Sequence, residues 1–177
     1  LMSICDDLQG TGVAPIYESG ASLWPTQLLI SQYIVDLDIN SEYGNKVATN
    51  EAKLTDPDGP FIEAMYAYTD LRDNGCFNSD YSTGTFENAL AAVYEGSAAM
   101  TALHSDVYPQ LLAAAGDDDQ LLSDTVGFIT VSKDSNRGLY IPGPLGTFFA
   151  PKTGDPAKEA AARAFIEYAT GDGYAQF

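Results

Sequence analysis

Apolar residues along this chain recur mostly at helical spacing, interrupted by short apolar runs of strand length, and the alternation predicts a layered α/β unit. Residues 1–8 read as a helix closed at Gly10 or Gly12, because glycine accepts the left-handed conformation that ends helices. Residues 13–17 follow as a short buried strand. Over residues 25–37, Leu28, Leu29, Ile30, Tyr33, Ile34, Val35 and Leu37 surround a helix on most sides, which predicts a deeply buried central element.

Residues 38–59 are polar and rich in turn formers, including Asp56-Pro57-Asp58-Gly59, and are expected to form a long surface excursion. Phe61, Ile62, Met65, Tyr68 and Thr69 predict a helix that stops near Gly75. A further helix is capped by Thr85, carries Phe86, Ala89, Leu90, Val93 and Tyr94 on one face, and ends at Gly96. Residues 97–103 and 126–131 are strand candidates, with a helix from 105 or 106 to 115 between them. Residues 141–150 hold Pro142, Gly143, Pro144 and Gly146, a loop feeding a short strand. The last helix has Asp155 as N-cap and Pro156 at its first position, with Ala157, Ala160, Ala161, Ala164, Phe165, Tyr168 and Ala169 as its apolar face. There is no internal repeat and no low-complexity linker, so residues 1–177 are read as one domain.

Charge narrows the function classes. The 177 residues include 25 acidic and 8 basic side chains, a formal net charge of −17. Such a surface repels phosphate backbones and anionic headgroups, so nucleic acid is not an expected partner. Cys5 and Cys76 exclude a dense disulfide framework and repeated CxxC metal sites, and stand either as two free thiols or as one bridge. The most apolar stretch, residues 28–37, is far shorter than a membrane span. Helix begins at the first residues and no Met leads it, as expected of a piece of a longer polypeptide.

Three passages, in this order, resemble family 1 extracellular solute-binding proteins, the capture components of ABC sugar importers. The first is Gly12-Val13-Ala14-Pro15-Ile16-Tyr17 followed by Trp24-Pro25. The second is the helix after Thr85 with Tyr94-Glu95-Gly96-Ser97-Ala98-Ala99-Met100. The third runs from Gly146 through Pro151-Lys152 and Asp155-Pro156-Ala157-Lys158-Glu159-Ala160-Ala161 to Phe165-Ile166-Glu167-Tyr168. The resemblance implies the C-terminal lobe of a type II periplasmic-binding-protein-like clamshell, helix-rich with a small central mixed sheet. It implies further an N-terminal lobe not included here, a lipid-anchored parent at the extracellular face of the membrane or in the periplasm, and ABC permease subunits as partners.

Sugar sites pair a flat aromatic ring with side chains that exchange several hydrogen bonds with hydroxyls. Trp24, the only tryptophan, lies on a polar loop with Glu18, Ser19 and Ser22, and is the first candidate for a stacking platform. The competing reading packs its ring into the core beside Pro25. After the "A-A-M" strand the family commonly offers an aromatic residue to the cleft. Alignment on Ser105 puts Asp106 there instead, leaving His104, Ser105 and Asp106 as a polar trio for hydroxyls. Asp106 can equally serve as a helix N-cap, and His104 as a surface residue. Gly143, Leu145 and Gly146 fall where the family brings a glycine-rich backbone near its ligand.

Other chemistry has weaker support. Asp36-x-Asp38-x-Asn40-x-Glu42 begins like a calcium loop, but Ser41 replaces the turn glycine and Val47 the closing glutamate. Asp117-Asp118-Asp119 reads as a solvated loop. No metal and no cofactor is expected. One histidine, no G-x-S-x-G and no phosphate loop leave only carboxylates for catalysis, and these are too numerous to single out. What the resemblance implies, and what is expected, is noncovalent capture of a carbohydrate without enzymatic turnover. A glycoside hydrolase and a non-transport surface interaction module are the alternatives.

Overall fold

The computed structural model describes residues 1–38, 41–129 and 148–173. Strand β1 (Ala14–Tyr17) pairs in parallel with β2 (Ala98–Thr101), in the register Ala14 with Ala98, Ile16 with Met100 and Tyr17 with Thr101. On the other side of β1, Ile16 bridges Phe77 in parallel. The Ile16 N–H donates to the Cys76 carbonyl at 2.9 Å, and the Asn78 N–H donates to the Ile16 carbonyl at 3.2 Å. Three segments therefore run side by side in one direction, a small parallel sheet among the described residues where a mixed one was expected. Parallel neighbours cannot be joined by tight turns, so the chain returns through helices. After α1 (Met2–Leu8) and β1, the returns are α2 (Thr26–Asp38), α3 (Tyr43–Ala48) and α4 (Pro60–Asp73) to the Phe77 segment and α5 (Phe86–Glu95) to β2, and after β2 come α6 (Tyr108–Ala114) and α7 (Asp119–Thr125).

Alternation along β1 sends successive side chains to opposite faces. Ile16 packs with Cys5, Leu29, Tyr33, Ala64, Leu71, Cys76 and Phe77, the core built on the α2–α4 pair. Tyr17 instead joins Ala89, Ala92 and Ala98, where small side chains let α5 approach the sheet. A third cluster of Val107, Leu111, Ala115 and Leu122 holds α6 and α7. Cys5 and Cys76 form a disulfide, with Cα atoms 5.4 Å apart, tying α1 to the segment beside β1.

Local chemistry explains the helix ends. Thr85 accepts from the Asn88 N–H at 3.4 Å, and Gly96, at φ 79°, takes the left-handed position closing α5. α2 runs as expected, but only Leu29, Tyr33 and Asp36 are fully buried, so its apolar girdle is half covered. The excursion after it is not wholly irregular. Asp38 accepts from the Tyr43 and Gly44 amides at 2.5 and 3.0 Å and nucleates α3. Burial opposes ionisation of Asp38, yet the Ser41 hydroxyl, these amides and the charge of Lys46 outweigh it and hold the carboxyl below its ordinary range.

Residues 126–129 correct another expectation. They are irregular rather than strand, with Phe128 and Ile129 exposed; an apolar run alone does not form a strand without an adjacent edge to pair with. Residues 130–131 and 141–147 lie outside the described residues.

The chain divides into two units, Leu1–Ile141 and Pro142–Phe177. In the second, Asp155 accepts from the Ala157 and Lys158 amides at 3.0 and 3.3 Å and Pro156 opens α8 (Pro156–Ala169), as the sequence predicts. On its apolar face Ala169 is buried, while Phe165 and Tyr168 are about half exposed. Phe148 meets Phe165 edge-on at 6.1 Å. Among the described residues no helix is long and apolar enough to cross a membrane.

Candidate functional site

In parallel sheets, ligands bind beyond the carboxyl ends of the strands, because the loops that leave there converge. Here three such exits lie together: residues 18–24 after β1, 79–81 after the Phe77 segment, and 102–106 after β2. The first and last carry six of the nine candidate residues.

The loop after β1 is held by hydrogen bonds to the segment preceding α5. Gly20 N–H donates to the Tyr81 carbonyl at 2.8 Å, Ala21 N–H to the Gly84 carbonyl at 3.0 Å, and the Ser19 hydroxyl to the Thr85 carbonyl at 3.2 Å. A Cβ on Gly20 would stand 2.5 Å from the Tyr81 oxygen, so only glycine permits this approach. Ser22 accepts from the Phe86 N–H at 2.9 Å and so satisfies an otherwise unpaired amide at the start of α5.

Leu23 then adopts φ 61° and ψ −55°, and the Trp24 N–H closes a three-residue turn onto the Ser22 carbonyl at 2.7 Å. Turns of this hand are strained for a residue with a branched side chain, at a cost of about 1–3 kcal/mol. Leu23 stands 78% exposed, and Trp24 is 38% exposed, its ring partly covered by its neighbours.

The Trp24 ring meets two others. Phe86 lies 5.2 Å away at 50°, and His104 lies 5.5 Å away at 24°, a stacked arrangement. His104 Nδ1 is 3.9 Å from Asp106 Oδ1, and both side chains are more than half exposed. Ser105 and Asp106 lie in the 3-10 turn Ser105–Val107 that leads into α6. His104 precedes this turn, and Val107 rather than Asp106 precedes α6, leaving the Asp106 carboxylate open to solvent.

The structure thus brings Trp24 together with His104 and Asp106, residues distant in sequence. It withdraws Glu18, which is 4% exposed; its Oε1 accepts from the Thr26 hydroxyl at 2.6 Å and its carboxyl also bonds the Tyr68 hydroxyl. Burial pushes that carboxyl above its ordinary range, only partly offset by Thr26, the Ser19 backbone and Tyr68. Tyr68 is itself pushed up, by burial and by the adjacent Glu18. Glu18 braces the loop from below instead of facing a ligand, and Ser22 pins it from the side. Gly143, Leu145 and Gly146 lie outside the described residues.

Phe86 and Leu23 were not singled out from sequence. Phe86 reads as one more position of an apolar helix face, and the outward turn at Leu23 has no composition signal. Two grooves lie elsewhere. One of about 660 Å³ runs past Gly10, Pro15, Phe77 and Asp80, and one of about 350 Å³ lies between α5 and α6 against Leu90, Tyr94 and Leu111. Among the described residues no group of three or more His, Cys, Asp and Glu side chains is placed to hold a metal ion. Compared in sequence with known proteins, the chain matches no family model and no curated protein.

Proposed function

We propose that this chain captures a carbohydrate noncovalently outside the cell, as a type II periplasmic-binding-protein-like lobe, for delivery to an ABC importer. The observation that carries the reading is the part-exposed Trp24 ring beside His104 and Asp106, at the carboxyl end of parallel strands. An indole face takes the C–H face of a pyranose, while Asp106, Ser105 and the free edge of His104 exchange hydrogen bonds with hydroxyls. Pinning of the loop by Ser22 and Gly20 limits the ordering cost of binding. The Cys5–Cys76 bridge fits an oxidising compartment, in keeping with an extracellular or periplasmic location. In a two-lobed protein a second lobe supplies the opposing wall and closes over the sugar, and the closed form docks on the permease.

Thermal-shift screening against a glycan panel, with wild type and Trp24→Ala in parallel, tests this. A glycan that raises the melting temperature of wild type but not of the variant supports capture. A panel without a stabilising glycan, or turnover of an aryl glycoside, overturns it.

A further inference from the structure

Charge selection at the Trp24 site follows from where the cations are missing. No lysine or arginine occurs between Leu1 and Asn45, or between Asp73 and Ser132, the two stretches that supply the β1 loop, α5, β2 and the 104–106 turn. The same stretches carry Asp80 after the Phe77 segment, Glu87 in the first turn of α5, and Asp106, which lies open beside His104. An anionic sugar arriving at Trp24 therefore meets Asp106 and no guanidinium or ammonium from these elements, and Arg72 of α4, which acts on Tyr81 at the middle exit, is already paired with Asp73 at 2.8 Å. Desolvating a ligand carboxylate, sulfate or phosphate without a cationic partner is costly.

We infer that the Trp24–His104–Asp106 site accepts neutral and amino sugars and rejects acidic ones, with Asp106 as its charge selector. This rests on the capture reading for its ligand, but the electrostatic claim is independent of any glycan. A local potential of about −1 kT depletes a monovalent anion about threefold and enriches a cation about threefold. A protonated amine gains from Asp106 and from the indole face, while a uronate loses on both.

Trp24 is the only tryptophan, so its fluorescence reports this site alone. Quenching by iodide, caesium and acrylamide is measured at pH 8, each constant divided by that of N-acetyltryptophanamide at the same ionic strength. The expected result is a caesium ratio about sevenfold above the iodide ratio, narrowing in added salt and on Asp106→Asn. Equal ratios for iodide and caesium overturn the inference. A second arm compares three β-1,4-linked trisaccharides of glucose, glucosamine and glucuronate by thermal shift. Stabilisation by the glucuronate equal to that by the glucose trimer also overturns it. If no glycan binds, the capture reading fails, and the quenching result still decides the charge inference.

Discussion

Breaking the Cys5–Cys76 bridge is the perturbation with the largest calculable effect. The two cysteines are separated by 71 residues, and closing such a loop in the unfolded chain corresponds to about 4 kcal/mol on the chain-entropy account. For a chain of this length each kcal/mol moves the melting temperature by about 2–4 °C, so loss of the bridge lowers it by about 8–16 °C. Both cysteines are buried, which adds about 1 kcal/mol of lost packing for each side chain cut back to alanine. The assay is urea unfolding of Cys5→Ala, Cys76→Ala and the double variant. Either single change already breaks the bridge, so each single variant loses nearly as much stability as the double, a strongly non-additive cycle. Two single losses of about 1 kcal/mol that simply add would refute the covalent link and the anchoring of α1 beside β1.

Two further perturbations probe the loop that carries Trp24. Because burial raises the Glu18 carboxyl, the folded state holds its proton more tightly than the unfolded one. The stability it contributes is complete below about pH 4.5, the unfolded value, and is lost as pH rises through the folded one. Glu18→Gln keeps an acceptor for Thr26 and Tyr68 and removes the charge, so the variant is more stable than wild type at pH 7 and lacks this part of the pH slope. An unchanged slope by urea unfolding between pH 4 and 8 would contradict the buried placement. Gly20→Ala forces a Cβ against the Tyr81 carbonyl and displaces the loop, costing about 1–3 kcal/mol and shifting Trp24 emission to the red. Emission and stability identical to wild type would show that this close approach does not exist.

What could be read from residue order was what depends on near neighbours. Thr85 and Gly96 bracket α5, and Asp155 with Pro156 opens α8, because caps act within one turn of the helix. α3 escaped notice because its nucleating carboxylate, Asp38, reaches forward five residues across a polar stretch. Residues 126–131 read as a strand in sequence while 126–129 are irregular, because a strand is defined by its partner, which an apolar run does not name. At the candidate site the same division holds. Proximity in sequence placed Glu18, Ser22 and Trp24 on one loop, but their separation into brace, pin and exposed ring depends on Tyr68 of α4 and Phe86 of α5. His104 was recognised only as polar, whereas its stacking on Trp24 comes from the parallel pairing of β1 with β2.

The most direct measurement exploits the fact that the chain has one tryptophan and one histidine. In proton–nitrogen NMR spectra titrated with a glycan that stabilises the protein, the Trp24 indole N–H and the His104 imidazole signals should shift together and saturate at one affinity. Saturable binding that leaves both signals unmoved would place the sugar elsewhere and contradict the account.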